Sequence, residues 1–392
     1  MGSPRPGSDP EPQPRGERNV DGRRGSDGAG RIDRAEAASA GIALAAPGCA
    51  DVGRVDRVLV ARLGAIGDCL RVLPAVARLR RRFPSAEIGW VVGDLVAPLL
   101  EGHPLLTRLH VVRRRETSRG LLGAWAELRR VGTELADARY DVAIDFHTRL
   151  KSGYLVRASR APLRIGVDRA SGTEANFLFT NSHVSVPDKY ENRVTRFLRL
   201  LEPLGIQGGE VDGLWVPPGA AERARAIHVQ AGSPQVALFA GTSAHREADR
   251  WPDAKWRELV ARLGDAGLRS MLLWGPGEFE TAAAVAGASP SCTLAPPTTL
   301  AEMMALLGLF RLYVGSNTAA LHMAWMQGVP SVVLVGGRPW RTDRPLEPVP
   351  SVMLSAGGNE PPRKLRGEAA RRAVQGIEVA DVMSAVHALL PS

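Results

Sequence analysis

The chain has 392 residues, long enough for two domains with full cores. Its 44% hydrophobic and 23% charged content is that of a globular protein, and no apolar run reaches the roughly 18–20 residues of a membrane span. Net charge is +9, with only four lysines (Lys151, Lys189, Lys255 and Lys364) among the 50 basic residues, an excess that suits an anionic partner. No zinc finger, aromatic RNP stretch or basic heptad helix is present, so nucleic acid is not the expected partner. Cys49, Cys69 and Cys292 are isolated, with neither a disulfide framework nor zinc-ligand spacing. A reducing cytosol fits them, and the N-terminus has no apolar signal core to suggest export.

Residues 1–53 are rich in Gly, Pro, Arg and Asp and read as a disordered tail, with a weak helical pattern over 35–46. From Val55 short apolar strands alternate with helices. A strand at Val55–Ala61 is followed by Gly64-Ala65-Ile66-Gly67-Asp68 and by an amphipathic helix over about 69–82. Strands follow at 87–92, 108–112 and 142–145, with helices at 121–136, 151–159 and 192–204. The stretch 205–235 is rich in Gly and Pro and reads as a linker. The alternation then restarts, with strands at 236–240, 268–274, 311–314 and 331–335, and helices at 252–263, 278–287, 299–307, 318–327 and 379–390. Two βα series joined by a linker predict an α/β protein of two Rossmann-like domains facing across a cleft, 54–205 and 236–392, with 206–235 between them.

Three segments could carry chemistry. The turn Gly64–Asp68 lets backbone approach a ligand and ends in a carboxylate. Asp68 is either a helix cap or a catalytic group. As a dinucleotide fingerprint the turn is poor: its spacing is G-x-x-G and the third glycine is missing, although Asp94 ends the next strand where a ribose partner would sit. The second segment is Ala240-Gly241-Thr242-Ser243 with Arg250-Trp251-Pro252. Small hydroxyl residues at a strand end suit phosphate, and Arg250 could neutralise a diphosphate. The bland alternative is a solvated loop with a Trp-Pro helix start. The third is Gly315-Ser316-Asn317-Thr318-Ala319-Ala320-Leu321-His322. Ser316, Asn317 and Thr318 are N-cap types, and small Ala319 and Ala320 leave first-turn N–H groups open to an anion. His322 faces either cleft or core.

In order and spacing these segments resemble glycosyltransferase family 9, the ADP-heptose:lipopolysaccharide heptosyltransferases, over about residues 55–390. The opening Arg57–Asp68, Leu73-Pro74-Ala75, Phe83-Pro84, Tyr140–Asp145, Arg164-Ile165-Gly166, Arg250-Trp251-Pro252, Asn317–His322 and Ile377–Val382 all carry the likeness. The resemblance implies a GT-B architecture, a metal-independent inverting transfer and no cofactor. It makes 54–205 the acceptor domain and 236–392 the donor domain. Asp68 becomes the general base, while Thr242, Ser243, Arg250 and the amides of Thr318, Ala319 and Ala320 hold a donor diphosphate. Asn317 and His322 support the donor site. The implied partners are a nucleotide sugar and an anionic lipid-linked glycan at the inner face of the membrane. Two departures stand out: Asn317 and Ala319 occupy places where the family usually has Asp and Gly, and Asp249 occupies one where it often has Lys. They leave room for another donor or acceptor, or for a sugar-nucleotide-binding or glycan-binding protein without catalysis.

Overall fold

The computed structural model describes residues 54–208, 211–242, 250–336, 339–356, 365 and 367–390. In the first half, β1 (Arg57–Ala61), β2 (Glu87–Gly93), β3 (Arg108–Val112), β4 (Val142–Asp145), β5 (Leu163–Val167) and β6 (Ser182–Val184) form one sheet. Its order is β3-β2-β1-β4-β5-β6, and its pairs are parallel. In the second half, β7 (Val236–Phe239), β8 (Ser270–Leu273), β9 (Cys292–Leu294), β10 (Leu312–Ser316), β11 (Ser331–Leu334) and β12 (Ser351–Leu354) pair in parallel as β12-β11-β10-β7-β8-β9. Both sheets are thus doubly wound in the same order. Their switch points lie between β1 and β4 and between β7 and β10, where ligands bind in such sheets.

The central strands are apolar throughout because helices cover both faces; Val58, Leu59, Val60 and Ala61 are fully buried. One apolar cluster runs through both halves, joining Val58, Leu73 and Trp90 to Phe239, Leu321 and Trp325. The short helix Ala97–Leu100 also packs on Leu300–Leu307 across the two sheets.

Four differences from the sequence reading have local causes. The helix expected over about 69–82 is two helices, Ile66–Leu70 and Leu73–Arg82, with Pro74 in the first turn of the second. Proline disfavours helix at the residue before it and lacks an N–H, so it opens a helix rather than continuing one. The linker contains a helix, Pro218–Gln230, that buries Ala224 and Ile227 and packs on Leu300–Leu307. Its Pro217-Pro218-Gly219 start reads as loop but serves as a first turn. The expected helix over 192–204 is the helix Arg193–Arg199 followed by the 3₁₀ turn Glu202–Leu204. The sequence reading also lacks strands β5, β6, β9 and β12 and the helix Gly367–Gln375; β6, β9 and β12 have three or four residues each, too few for a visible period.

Candidate active site

β1 delivers the chain to Arg62-Leu63-Gly64-Ala65, and the helix Ile66–Leu70 opens with Ala65 as its N-cap and no side-chain cap bond. Asp68 is therefore not spent on capping. Its carboxylate accepts from Arg62 and Arg71, and from Arg193 at 2.7 Å. Burial alone would raise its pKa, but the charges of Arg62, Arg71 and Arg193 overcome that and hold the carboxyl well below the usual range. Arg62 is fixed in turn by donating to the Phe146 carbonyl at 2.7 Å.

The second half meets this turn directly. After β10, Thr318 takes the N-cap position of the helix Ala319–Trp325, again without a side-chain cap bond. The Ser316 hydroxyl is buried and makes no hydrogen bond. His322 lies against Gly67 so closely that a Cβ on Gly67 would sit 2.5 Å from His322 Cδ2; only glycine lets the two helices approach this far. His322 Nδ1 accepts from Trp325 Nε1 at 3.0 Å. Burial, reinforced by the nearby Arg71 charge, keeps this imidazole neutral.

Asp343, on the connection from β11 to β12, is the second carboxylate of the cluster. It pairs with Arg71 and with Arg193, whose Nε lies 3.3 Å away, and accepts from the Asn317 amide at 3.3 Å. Burial would raise it, but Arg71 and Arg193 hold it well below its usual range. Two guanidiniums from the first half are thus shared between Asp68 on their own side and Asp343 on the other. Nearby, Asn192 Nδ2 donates to the Arg344 carbonyl at 3.0 Å, and Asp188 pairs with Arg341 at 2.6 Å.

The structure therefore brings together Gly64, Gly67, Asp68, Asn317 and His322, with Thr318, Ala319 and Ala320 one step further along the same turn. Thr242 lies three residues beyond the end of β7, and Ser243 and Asp249 lie outside the described residues. Arg250 is half-exposed and pairs with Asp253 of its own helix start at 3.0 Å. Trp251 beside it is fully buried, donates to the Ile377 carbonyl at 3.0 Å and stacks edge-on against Trp256. Trp251 is thus anchored in the core, while Arg250 stays at the surface.

Sequence reasoning missed Arg62, Arg71, Arg193 and Asp343. The first two flank the Gly64–Asp68 turn and could have been weighed as partners of Asp68. The other two are brought in by the tertiary fold and carry no local signal. It also passed over Glu278, whose carboxylate accepts the Gly275 N–H at 2.8 Å and occupies the space a Cβ on Gly241 would need.

Opening from Asp68 on the first-half side is a cavity of about 1130 Å³ lined by Arg62, His147, Lys189, Arg193 and Arg196 among others. His147 is partly buried and its Nδ1 has no hydrogen-bond partner. Burial, with the Arg62 charge beside it, lowers its pKa to about 4, so it is neutral near pH 7. Asp145 shapes this wall: fully buried, it accepts the backbone N–H groups of His147 at 2.9 Å and Thr148 at 3.0 Å. Among the described residues no group of three or more His, Cys, Asp or Glu could hold a metal ion.

Two doubly wound sheets whose switch-point turns meet at a buried cluster of charges define a GT-B fold. The profile of glycosyltransferase family 9 (heptosyltransferase) matches residues 128–367, and the chain belongs to that family. It is 29% identical over 292 residues to lipopolysaccharide heptosyltransferase 1 of Pseudomonas aeruginosa, covering 71% of this chain and 78% of the relative. Among solved structures it resembles a family 9 glycosyltransferase from Veillonella parvula, with a TM-score of 0.73 at 19% identity over 87% of this chain and 99% of that one. It also resembles E. coli heptosyltransferase WaaC with ADP-2-deoxy-2-fluoro heptose, with a TM-score of 0.68 at 22% identity over 85% of this chain and all of that one.

Proposed function

We propose that this glycosyltransferase moves a heptose from ADP-heptose to a lipopolysaccharide-type acceptor, with inversion, in the cytoplasm at the inner face of the membrane. The observation that carries the reading is the Asp68 carboxylate, held on a glycine turn where the two halves meet and open to a large basic cavity. The names of the relatives supply the sugar and acceptor class. In the proposed reaction an acceptor hydroxyl attacks the anomeric carbon as the bond from that carbon to the diphosphate breaks. The hydroxyl proton passes to Asp68 and the nucleoside diphosphate leaves. Arg250, Thr242, Ser243 and the amides of Thr318, Ala319 and Ala320 would take up the diphosphate charge. Glu278 would accept ribose hydroxyls.

A carboxylate paired with three guanidiniums is a weak base. An anionic acceptor entering the cavity would compete for Arg62 and Arg193 and return basicity to Asp68. His147, neutral with Nδ1 unpartnered, favours a second reading in which the imidazole takes the proton and Asp68 orients the arginines. Transfer assays on Asp68→Asn and His147→Ala separate the two. On the first reading Asp68→Asn lowers kcat by ~10²–10⁴ with donor binding retained. Full turnover in folded Asp68→Asn would overturn it.

A further inference from the structure

The helix Gly120–Asp137 buries its middle, at Leu128, Val131 and Leu135, and leaves its first turn open. Leu121 is 91% exposed, Leu122 86% and Trp125 50%, and Leu150, which opens the next helix, is 52% exposed. The Trp125 ring stands 5.2 Å from that of Tyr154 on the same neighbouring helix, so the two helix starts form one patch. Folding alone does not explain such a patch, because a helix start can be built from polar residues at no cost to the core.

Charge surrounds the patch. Arg114, Arg115 and Arg119 precede the helix, and Lys151 follows Leu150. Arg119 pairs with Glu116 at 2.6 Å. Among the described residues no carboxylate pairs with the side chain of Arg114, Arg115 or Lys151. Leu95, 54% exposed, lines one shallow hollow with Arg114, Arg115, Ser118 and Asp94. Leucines and a tryptophan bordered by unpaired cations match a bilayer interface, where apolar side chains enter the acyl boundary and cations meet anionic headgroups. Side chains as open as Leu121 and Leu122 stand out from the surface instead of lining a groove for a peptide.

The patch is also continuous with the reaction centre. A smaller hollow of about 290 Å³ runs from Arg114 and Leu128 to Gly64 and Ala65, with Lys151 and His147 on its wall. Lys151 and His147 line the large cavity beside Asp68 as well. We propose that the exposed turn Leu121–Trp125, with Leu150 and the cations Arg114, Arg115 and Lys151, is the surface that seats this enzyme on an anionic lipid bilayer. The proposal deepens the reading of a membrane-borne acceptor, since it presents the Asp68 cavity to a headgroup whose acyl chains stay in the membrane.

The test uses the full chain and vesicles of phosphatidylethanolamine with phosphatidylglycerol, against vesicles of phosphatidylcholine alone, with neither donor nor acceptor present. The wild type is expected to sediment with the anionic vesicles and to be released by salt. Leu121→Asn with Leu122→Asn, and separately Arg114→Glu with Arg115→Glu, are expected to weaken that binding about tenfold or more. Thermal shift by ADP, measured on every variant, shows that each is folded. Equal vesicle binding by wild type and variants, or none by the wild type, overturns the proposal. Concentration-dependent self-association that Leu121→Asn with Leu122→Asn abolishes would assign the face to a second copy and also overturn it. If vesicles bind but no sugar nucleotide does, the functional reading fails and the surface stands.

Discussion

At the residue scale, the centre of this enzyme is a contest of two carboxylates for the same arginines. The family resemblance implies a carboxylate at position 317, where this chain has Asn317, and Asp343 supplies one beside it, accepting from the Asn317 amide at 3.3 Å. Asp343→Asn should destabilise the fold by about 3–5 kcal/mol, because Arg71 and Arg193 lose a buried partner. Adding Asn317→Asp to that variant should recover a large part of the loss by returning the charge one hydrogen bond away. Urea unfolding of the two variants measures this, and an Asn317→Asp change that restores nothing would mean the position of the charge matters as much as its presence. Acid should act in two waves. His147 and His322 have pKa values below the ordinary 6.5 in the folded state, so below about pH 6.5 the unfolded chain binds protons the folded chain refuses. Stability then falls by up to about 1.4 kcal/mol per pH unit for each group. Asp68 and Asp343 are also depressed, so their contribution is present above the ordinary carboxylate range and lost below it. Melting temperature recorded from pH 7 to pH 3 should fall throughout, and His147→Gln should flatten the upper part only. The glycines, Asp68, Asn317 and His322 were visible in the sequence because each sits on a strand-to-helix turn, where spacing reports structure. Arg193 and Asp343 were not visible, because a long-range ion pair leaves no local pattern.

At the scale of elements, most boundaries were legible because fully buried parallel strands are runs of apolar residues between punctuating glycines and prolines. The short edge strands β6, β9 and β12, the inner strand β5 and the helix Pro218–Gln230 were not, the edge strands for want of length and the helix because its prolines serve as a start. The contact of Gly67 with His322 shows what a single methyl group decides. Gly67→Ala should push the helix Ile66–Leu70 away from Ala319–Trp325, costing about 1–3 kcal/mol by overpacking. It should also lower kcat, since Asp68 rides on the displaced turn. Calorimetry and a transfer assay together check this: a variant as stable and as active as the wild type would show that the two helices have slack.

At the scale of the whole molecule, the two sheets thread six strands in one order, and the first-strand turn of one meets the fourth-strand turn of the other. Among the described residues no metal-holding group of side chains occurs, and on the proposed reading Arg250 and the amides of Thr318, Ala319 and Ala320 neutralise the leaving diphosphate. Sugar transfer is therefore expected to continue in excess EDTA, and activity lost to chelator and regained with Mg²⁺ or Mn²⁺ would refute that donor site. The joining of the halves through Asp343 has a further consequence. On the proposed reading the activated sugar lies on one half and its proton acceptor on the other. On that reading a nucleotide sugar carried by one half reacts only while the other half stands against it, which is the arrangement that the pairs of Asp343 with Arg71 and Arg193 hold.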